Sequence, residues 1–192
     1  LLAAIALLVP PPLFTEPLSS QRISAGRVCT ADLNADGKPD LILRAREEAK
    51  PDRYRVFLNA TAPGAALAFD EVESTNLPTP RDGDGLVFAD FDNDGHADAL
   101  FTRYLDINNA KFVEPDADPR RTAILPGKGD GTFAAPQILE LAPRATTAAI
   151  AVADLNADGR LDIFLGNWYW NYGDDLRAFP SVALIQSGLG VK

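Results

Sequence analysis

One acidic phrase is written three times in this chain: ADLNADGKPD at 31–40, ADFDNDGHAD at 89–98 and ADLNADGRLD at 153–162. Counting the first aspartate of each as position 1, oxygen-bearing side chains recur at positions 1, 3, 5 and 9, with glycine at 6. The copies read Asp32, Asn34, Asp36, Gly37, Asp40; Asp90, Asp92, Asp94, Gly95, Asp98; and Asp154, Asn156, Asp158, Gly159, Asp162. Such spacing suits a hard cation. Ca²⁺ takes 6–8 oxygen ligands, and a glycine at position 6 permits the sharp turn that directs the next carbonyl inward. That carbonyl belongs to Lys38, His96 or Arg160, whose side chains need not be ligands. Each loop is therefore expected to bind one Ca²⁺, giving three sites.

Clusters of Asp, Asn and Gly are also ordinary turn formers. Three copies with every acidic position kept favour the metal reading. An EF-hand is excluded, because it closes with Glu at position 12 between two helices. Here position 12 is Leu43, Phe101 or Leu165, in β-forming surroundings.

The loops start at Asp32, Asp90 and Asp154, and a repeat this long implies one supersecondary unit per copy. A β-forming run leads into each loop: AGRVCTAD, GLVFAD and TAAIAVAD. Another leaves it: LILR at 41–44, ALFTRY at 99–104 and IFLGNWYW at 163–170. A third follows as YRVFLN at 54–59, TAILPG at 122–127 and SVALIQ at 181–186. A fourth appears twice, ALAFDEV at 66–72 and TFAAPQIL at 132–139. Short strands punctuated by Gly, Pro and Asp, without helical periodicity, predict an all-β chain. Four antiparallel strands per repeat are the blades of a β-propeller.

With the GKGDGTF stretch at 127–133, these loops resemble FG-GAP/VCBS repeats, as in the integrin α-chain propeller. The resemblance is closer to secreted proteins of the cartilage acidic protein and ASPIC/UnbV group, and covers residues 13–190. It implies a calcium-stabilised propeller, usually of seven blades, outside the cytoplasm. The Gly-Asp-Gly-Thr-Phe element is clear once; its counterpart in the first repeat is APGAALAF, and the third reaches SGLGVK.

Phe133 and Phe69 each lie 21 residues before the next loop's first aspartate, and Phe14 lies 18 before Asp32. Residues 13–18 thus read as an outer strand. At the other end, SVALIQSGLG matches TAILPGKGD at an offset of 60. The expectation is an incomplete ring of about three blades, with the last short of its outer strand. A propeller needs 4–8 blades. Further residues or other chains are expected to complete it, because open blades expose aggregation-prone edges.

Of the 192 residues 46% are hydrophobic, sufficient for one core-bearing domain, and the net charge is −9. Ten carboxylates lie in the three loops, so three Ca²⁺ would reduce that charge to about −3. No Lys/Arg cluster points to nucleic acid. Cys29 is alone and reads as a small buried residue on an inner strand. Residues 1–12 open with LLAAIALLV, too short to span a bilayer; a secretory-signal remnant and a docked apolar segment both fit.

No catalytic constellation appears, and the single histidine sits in a loop. The NWYWNYGDD stretch at 167–175 could stack on sugars, anchor a partner or pack between blades. Trp168 and Trp170 are expected on one strand face, with Tyr169 on the other. The function expected is a non-enzymatic, calcium-binding scaffold for protein or glycan ligands, in a secreted, cell-surface or periplasmic setting. The alternative is an accessory propeller domain of a polysaccharide- or cofactor-handling enzyme with its catalysis elsewhere.

Overall fold

The computed structural model describes residues 25–46, 52–80, 84–103, 121–143, 145–168 and 179–187. Within them every regular element is a strand. The first sheet is β1 (Ala25–Ala31), β2 (Asp40–Ala45), β3 (Arg53–Asn59) and β4 (Phe69–Val72), in that spatial order. The second is β5 (Gly85–Ala89), β6 (Asp98–Thr102), β7 (Ala123–Leu125) and β8 (Gln137–Ile138). The third has three strands, β9 (Thr147–Ala153), β10 (Asp162–Asn167) and β11 (Val182–Leu184). All neighbours are antiparallel meanders.

Successive side chains on a strand point to opposite faces, and the middle sheet uses both. On β6, Ala99 and Phe101 join the core shared with the first sheet, beside Leu33, Ile42, Tyr54 and Val56. Leu100 points the other way, into a second core with Phe91, Ile124, Ile163 and Leu165. This two-sided burial explains why DALFT is continuously buried instead of alternating. β5 also neighbours both β1 and β9, so the first strands of consecutive sheets meet along one side. Stacked four-stranded meanders with converging first strands are propeller blades. No ring closes among the described residues.

Several expectations change in detail. β8 is two residues long, because Pro136 offers no N–H and the run breaks into a separate bridge from Gly127 to Phe133. β10 ends at Asn167, so Trp168 lies just beyond the strand and is exposed. Ala99 pairs with Leu125 and Ile163 with Leu184, which sets the offset between third strands at 59, not 60. Cys29 is half-buried, and its thiol donates to the Leu86 carbonyl of the next sheet at 3.7 Å. Burial pushes that thiol's pKa up, against the opposing pull of Arg27. The expected outer strand at 13–18, the apolar segment 1–12, and Tyr169 with Trp170 lie outside the described residues.

Candidate metal centre

Each acidic loop joins the first strand of a sheet to the second, with Asp32, Asp90 and Asp154 directly after β1, β5 and β9. Glycine at position 6 has φ of 80°, 90° and 84° at Gly37, Gly95 and Gly159. Position 4 is also left-handed, with φ of 56°, 60° and 61° at Ala35, Asn93 and Ala157. Asparagine tolerates that region, whereas alanine is strained there by about 1 kcal/mol. The sequence pattern did not flag position 4.

Hydrogen bonds hold this strain in place. The carboxylate at position 1 accepts the N–H groups of positions 5 and 6: Asp36 and Gly37 on Asp32 at 3.1 and 2.8 Å. The second loop gives 3.1 and 3.0 Å for Asp94 and Gly95 on Asp90. The third gives 3.0 and 2.8 Å for Asp158 and Gly159 on Asp154. The Gly159 N–H is the main reason that the Asp154 pKa is lowered. Position 3 accepts the same position-5 N–H through Asn34, Asp92 and Asn156.

Position 9 is buried in every loop, as Asp40, Asp98 and Asp162. One oxygen accepts the position-2 N–H, from Leu33 at 2.7 Å, Phe91 at 2.9 Å and Leu155 at 2.9 Å. The other accepts an N–H at the end of the third strand, from Asn59, Gly127 and Gln186, each at 2.8 Å. This aspartate is therefore a clasp tying loop to sheet, besides being a candidate ligand. Burial raises the Asp98 pKa; the Gly127 and Phe91 N–H groups oppose it, and Asp92 and Asp94 add to it.

In the second loop the oxygens of Asp90, Asp92 and Asp98 lie within 4.8 Å of one another, close enough to hold one metal ion. An all-oxygen set suits hard cations such as Mg²⁺, Ca²⁺ or Mn²⁺. Asp94 is outside that trio and instead accepts the His96 N–H at 2.8 Å. Asp36 and Asp158 accept the Lys38 and Arg160 N–H groups in the same way.

The position-7 side chains brace the loops. Lys38 Nζ pairs with Asp36 at 3.0 Å and donates to the Asn59 carbonyl at 3.2 Å. Its bond to Asp36 is the main cause of that carboxylate's lowered pKa. Arg160 likewise pairs with Asp158 and donates to the Gln186 carbonyl at 3.3 Å. The His96 ring lies against Gly129, where an added Cβ would come within 2.5 Å of it.

GKGDGTF packs in both directions. An added Cβ at Gly127 would fall 2.3 Å from the Ala97 carbonyl of the second loop. Asp130 caps the turn, and the Thr132 hydroxyl is the main cause of its lowered pKa. Phe133 plugs the core between the first two sheets. Its N–H donates to Thr75 at 3.1 Å, and its carbonyl accepts from Asn76 at 3.0 Å.

Among curated proteins, none matches the chain closely enough to count as a relative. Residues 32–101 and 106–165, well over half of the chain, match the FG-GAP-like repeat; the first match begins at Asp32 and takes in two acidic loops, and the second takes in the third loop. The repeated loop, the meander that follows it and this match together show that the chain belongs to the FG-GAP-like repeat family.

Proposed function

We propose that this chain is a non-enzymatic, calcium-stabilised propeller scaffold that works outside the cytoplasm and binds protein or glycan partners. The observation that carries the reading is the threefold recurrence of one loop geometry, with the same left-handed positions and N–H contacts. Positions 1, 3, 5 and 9 and the position-7 carbonyl would hold the ion; position 5 joins by releasing its hold on the position-7 N–H. The ion supplies charge neutralisation, and the chain's residues supply the turn. Extracellular modules bind Ca²⁺ with Kd of about 10⁻⁴–10⁻³ M, so millimolar calcium outside the cell loads them and submicromolar cytosolic calcium does not. Support for partner binding comes from the exposed Trp168 next to Asn167, an aromatic face with a polar neighbour.

Titration calorimetry on chelator-stripped protein tests the metal reading. Calcium should bind at three sites and raise the melting temperature, at about 2.7 kcal/mol per site under hundredfold saturation. Asp92→Ala should remove one site. An unchanged melting curve in millimolar Ca²⁺ would refute the proposal.

A further inference from the structure

The third strand of each sheet leads to an equivalent residue. Asp40, Asp98 and Asp162, all at position 9, hold the N–H groups of Asn59, Gly127 and Gln186 respectively, each at 2.8 Å. In the first and third loops the position-7 side chain grips the same residue by its carbonyl, Lys38 on Asn59 at 3.2 Å and Arg160 on Gln186 at 3.3 Å. The side chains differ. Asn59 turns its amide back to the Pro39 carbonyl of its own loop at 3.1 Å, and Gly127 has no side chain to turn. Gln186 reaches out of its sheet, and its Nε2 donates to the Phe91 carbonyl at 3.0 Å, across 95 residues of sequence. Only Nε2 can donate to a carbonyl, so the orientation of the amide is fixed.

Phe91 is position 2 of the second loop, and its N–H is held by Asp98 at 2.9 Å. A continuous line of hydrogen bonds thus joins two acidic loops. It runs from Asp162 to the Gln186 N–H, from the Gln186 amide to the Phe91 carbonyl, and from the Phe91 N–H to Asp98. Both ends of the line are candidate metal ligands. Phe91 is buried in the second core, where a hydrogen bond is stronger than in water. An ordered third loop fixes Gln186 at its N–H and its carbonyl; Gln186 in turn holds position 2 of the second loop, and with it Asp98, in place. Ordering already brought about by one ion is not demanded of the next, which is positive cooperativity without a change of shape.

We propose that Gln186 is a positioning residue that couples the second and third loops, so that calcium in either raises the affinity of the other; this rests on the calcium reading of the loops. The coupling is reciprocal, as any coupling between two binding equilibria must be. The first loop stands outside the line. Gly127 occupies the place of Gln186 in the second sheet and has no amide to offer Leu33, position 2 of the first loop, which meets that sheet through apolar packing.

The test is a double-mutant cycle on the chelator-stripped 192-residue chain, titrated with calcium and followed by NMR. The Gly37 and Gly159 amides report the first and third loops. Asp92→Ala, which removes an oxygen from the second loop, should raise the calcium midpoint at Gly159 by about threefold or more, within the reach of one hydrogen bond. The midpoint at Gly37 should move less. Gln186→Met keeps the backbone contacts and the length of the side chain but removes the donor, and in that background Asp92→Ala should no longer move Gly159. A glutamine with a merely structural role would lower the melting temperature in EDTA and leave the linkage intact, which overturns the proposal. So does a Gly159 midpoint that ignores Asp92→Ala in the parent chain while all three loops still take up calcium. If no loop responds to calcium, the calcium reading falls and the coupling falls with it.

Discussion

Asp98 is buried, yet both of its oxygens accept backbone N–H groups, from Phe91 and Gly127. Removing a partner from a buried donor costs about 1–3 kcal/mol per group. Asp98→Ala should therefore destabilise the chain by roughly 2–6 kcal/mol, in EDTA as well as in calcium. Asp94 is exposed and holds only the loop's own His96 N–H. Asp94→Ala should lower the melting temperature in millimolar Ca²⁺ far more than in EDTA. Circular dichroism melts of both variants under both conditions separate clasp from ligand; equal losses for Asp94→Ala would sink its role as a ligand. The loops should also differ from one another. Lys38 and Arg160 partly neutralise Asp36 and Asp158, whereas the second loop has four carboxylates and a histidine turned towards Gly129. One unit charge at 4 Å in water is worth about 1 kcal/mol, about fivefold in affinity. During a calcium titration the Gly95 amide resonance should shift before those of Gly37 and Gly159, and simultaneous shifts would refute the ranking.

At the level of elements, the second sheet's outer segment is tied both to its own sheet and to the preceding repeat. Phe133 pairs with Gly127 through a single bridge, while its ring enters the core shared with the first sheet and its N–H and carbonyl engage Thr75 and Asn76 just after β4. Phe133→Ala should cost about 3–5 kcal/mol by urea unfolding, in the range of other buried aromatic truncations. A loss below 1 kcal/mol would mean that the interface does not depend on this plug. The loops and three strands of every sheet were legible in the sequence because they obey local rules: turn chemistry at fixed positions and short β-forming runs between Gly and Pro. The break at Pro136, the clasp at position 9 and the left-handed alanines were not. The clasp depends on which N–H meets which oxygen across 19 to 29 residues, which no local pattern encodes. The alanines are held left-handed by the loop's own N–H contacts although alanine itself is no turn signal, and Pro136 sits inside an otherwise β-forming run. The calcium spacing marked Asp40, Asp98 and Asp162 as important, but it gave no sign that they also fix strand register.

For the molecule as a whole, position 2 of each loop reports whether another of the described sheets lies against it. Leu33 and Phe91 are 2% and 3% exposed, each capped by the following sheet, while Leu155 is 53% exposed. Phe164 shares the same open side, opposite Ala151 and Ala183 in the strand register. The third sheet thus presents the apolar face that its two predecessors bury, and such patches promote association. Phe91→Asp should unfold the chain, since it places an unpaired charge in the second core. Leu155→Asp, at the equivalent position, should change stability by less than about 0.5 kcal/mol, as for an ordinary surface substitution. The double variant Leu155→Asp, Phe164→Glu should in addition raise the concentration at which the chain begins to scatter light. If Leu155→Asp were as damaging as Phe91→Asp, the face would already be covered in solution, and the third sheet would not be an open blade.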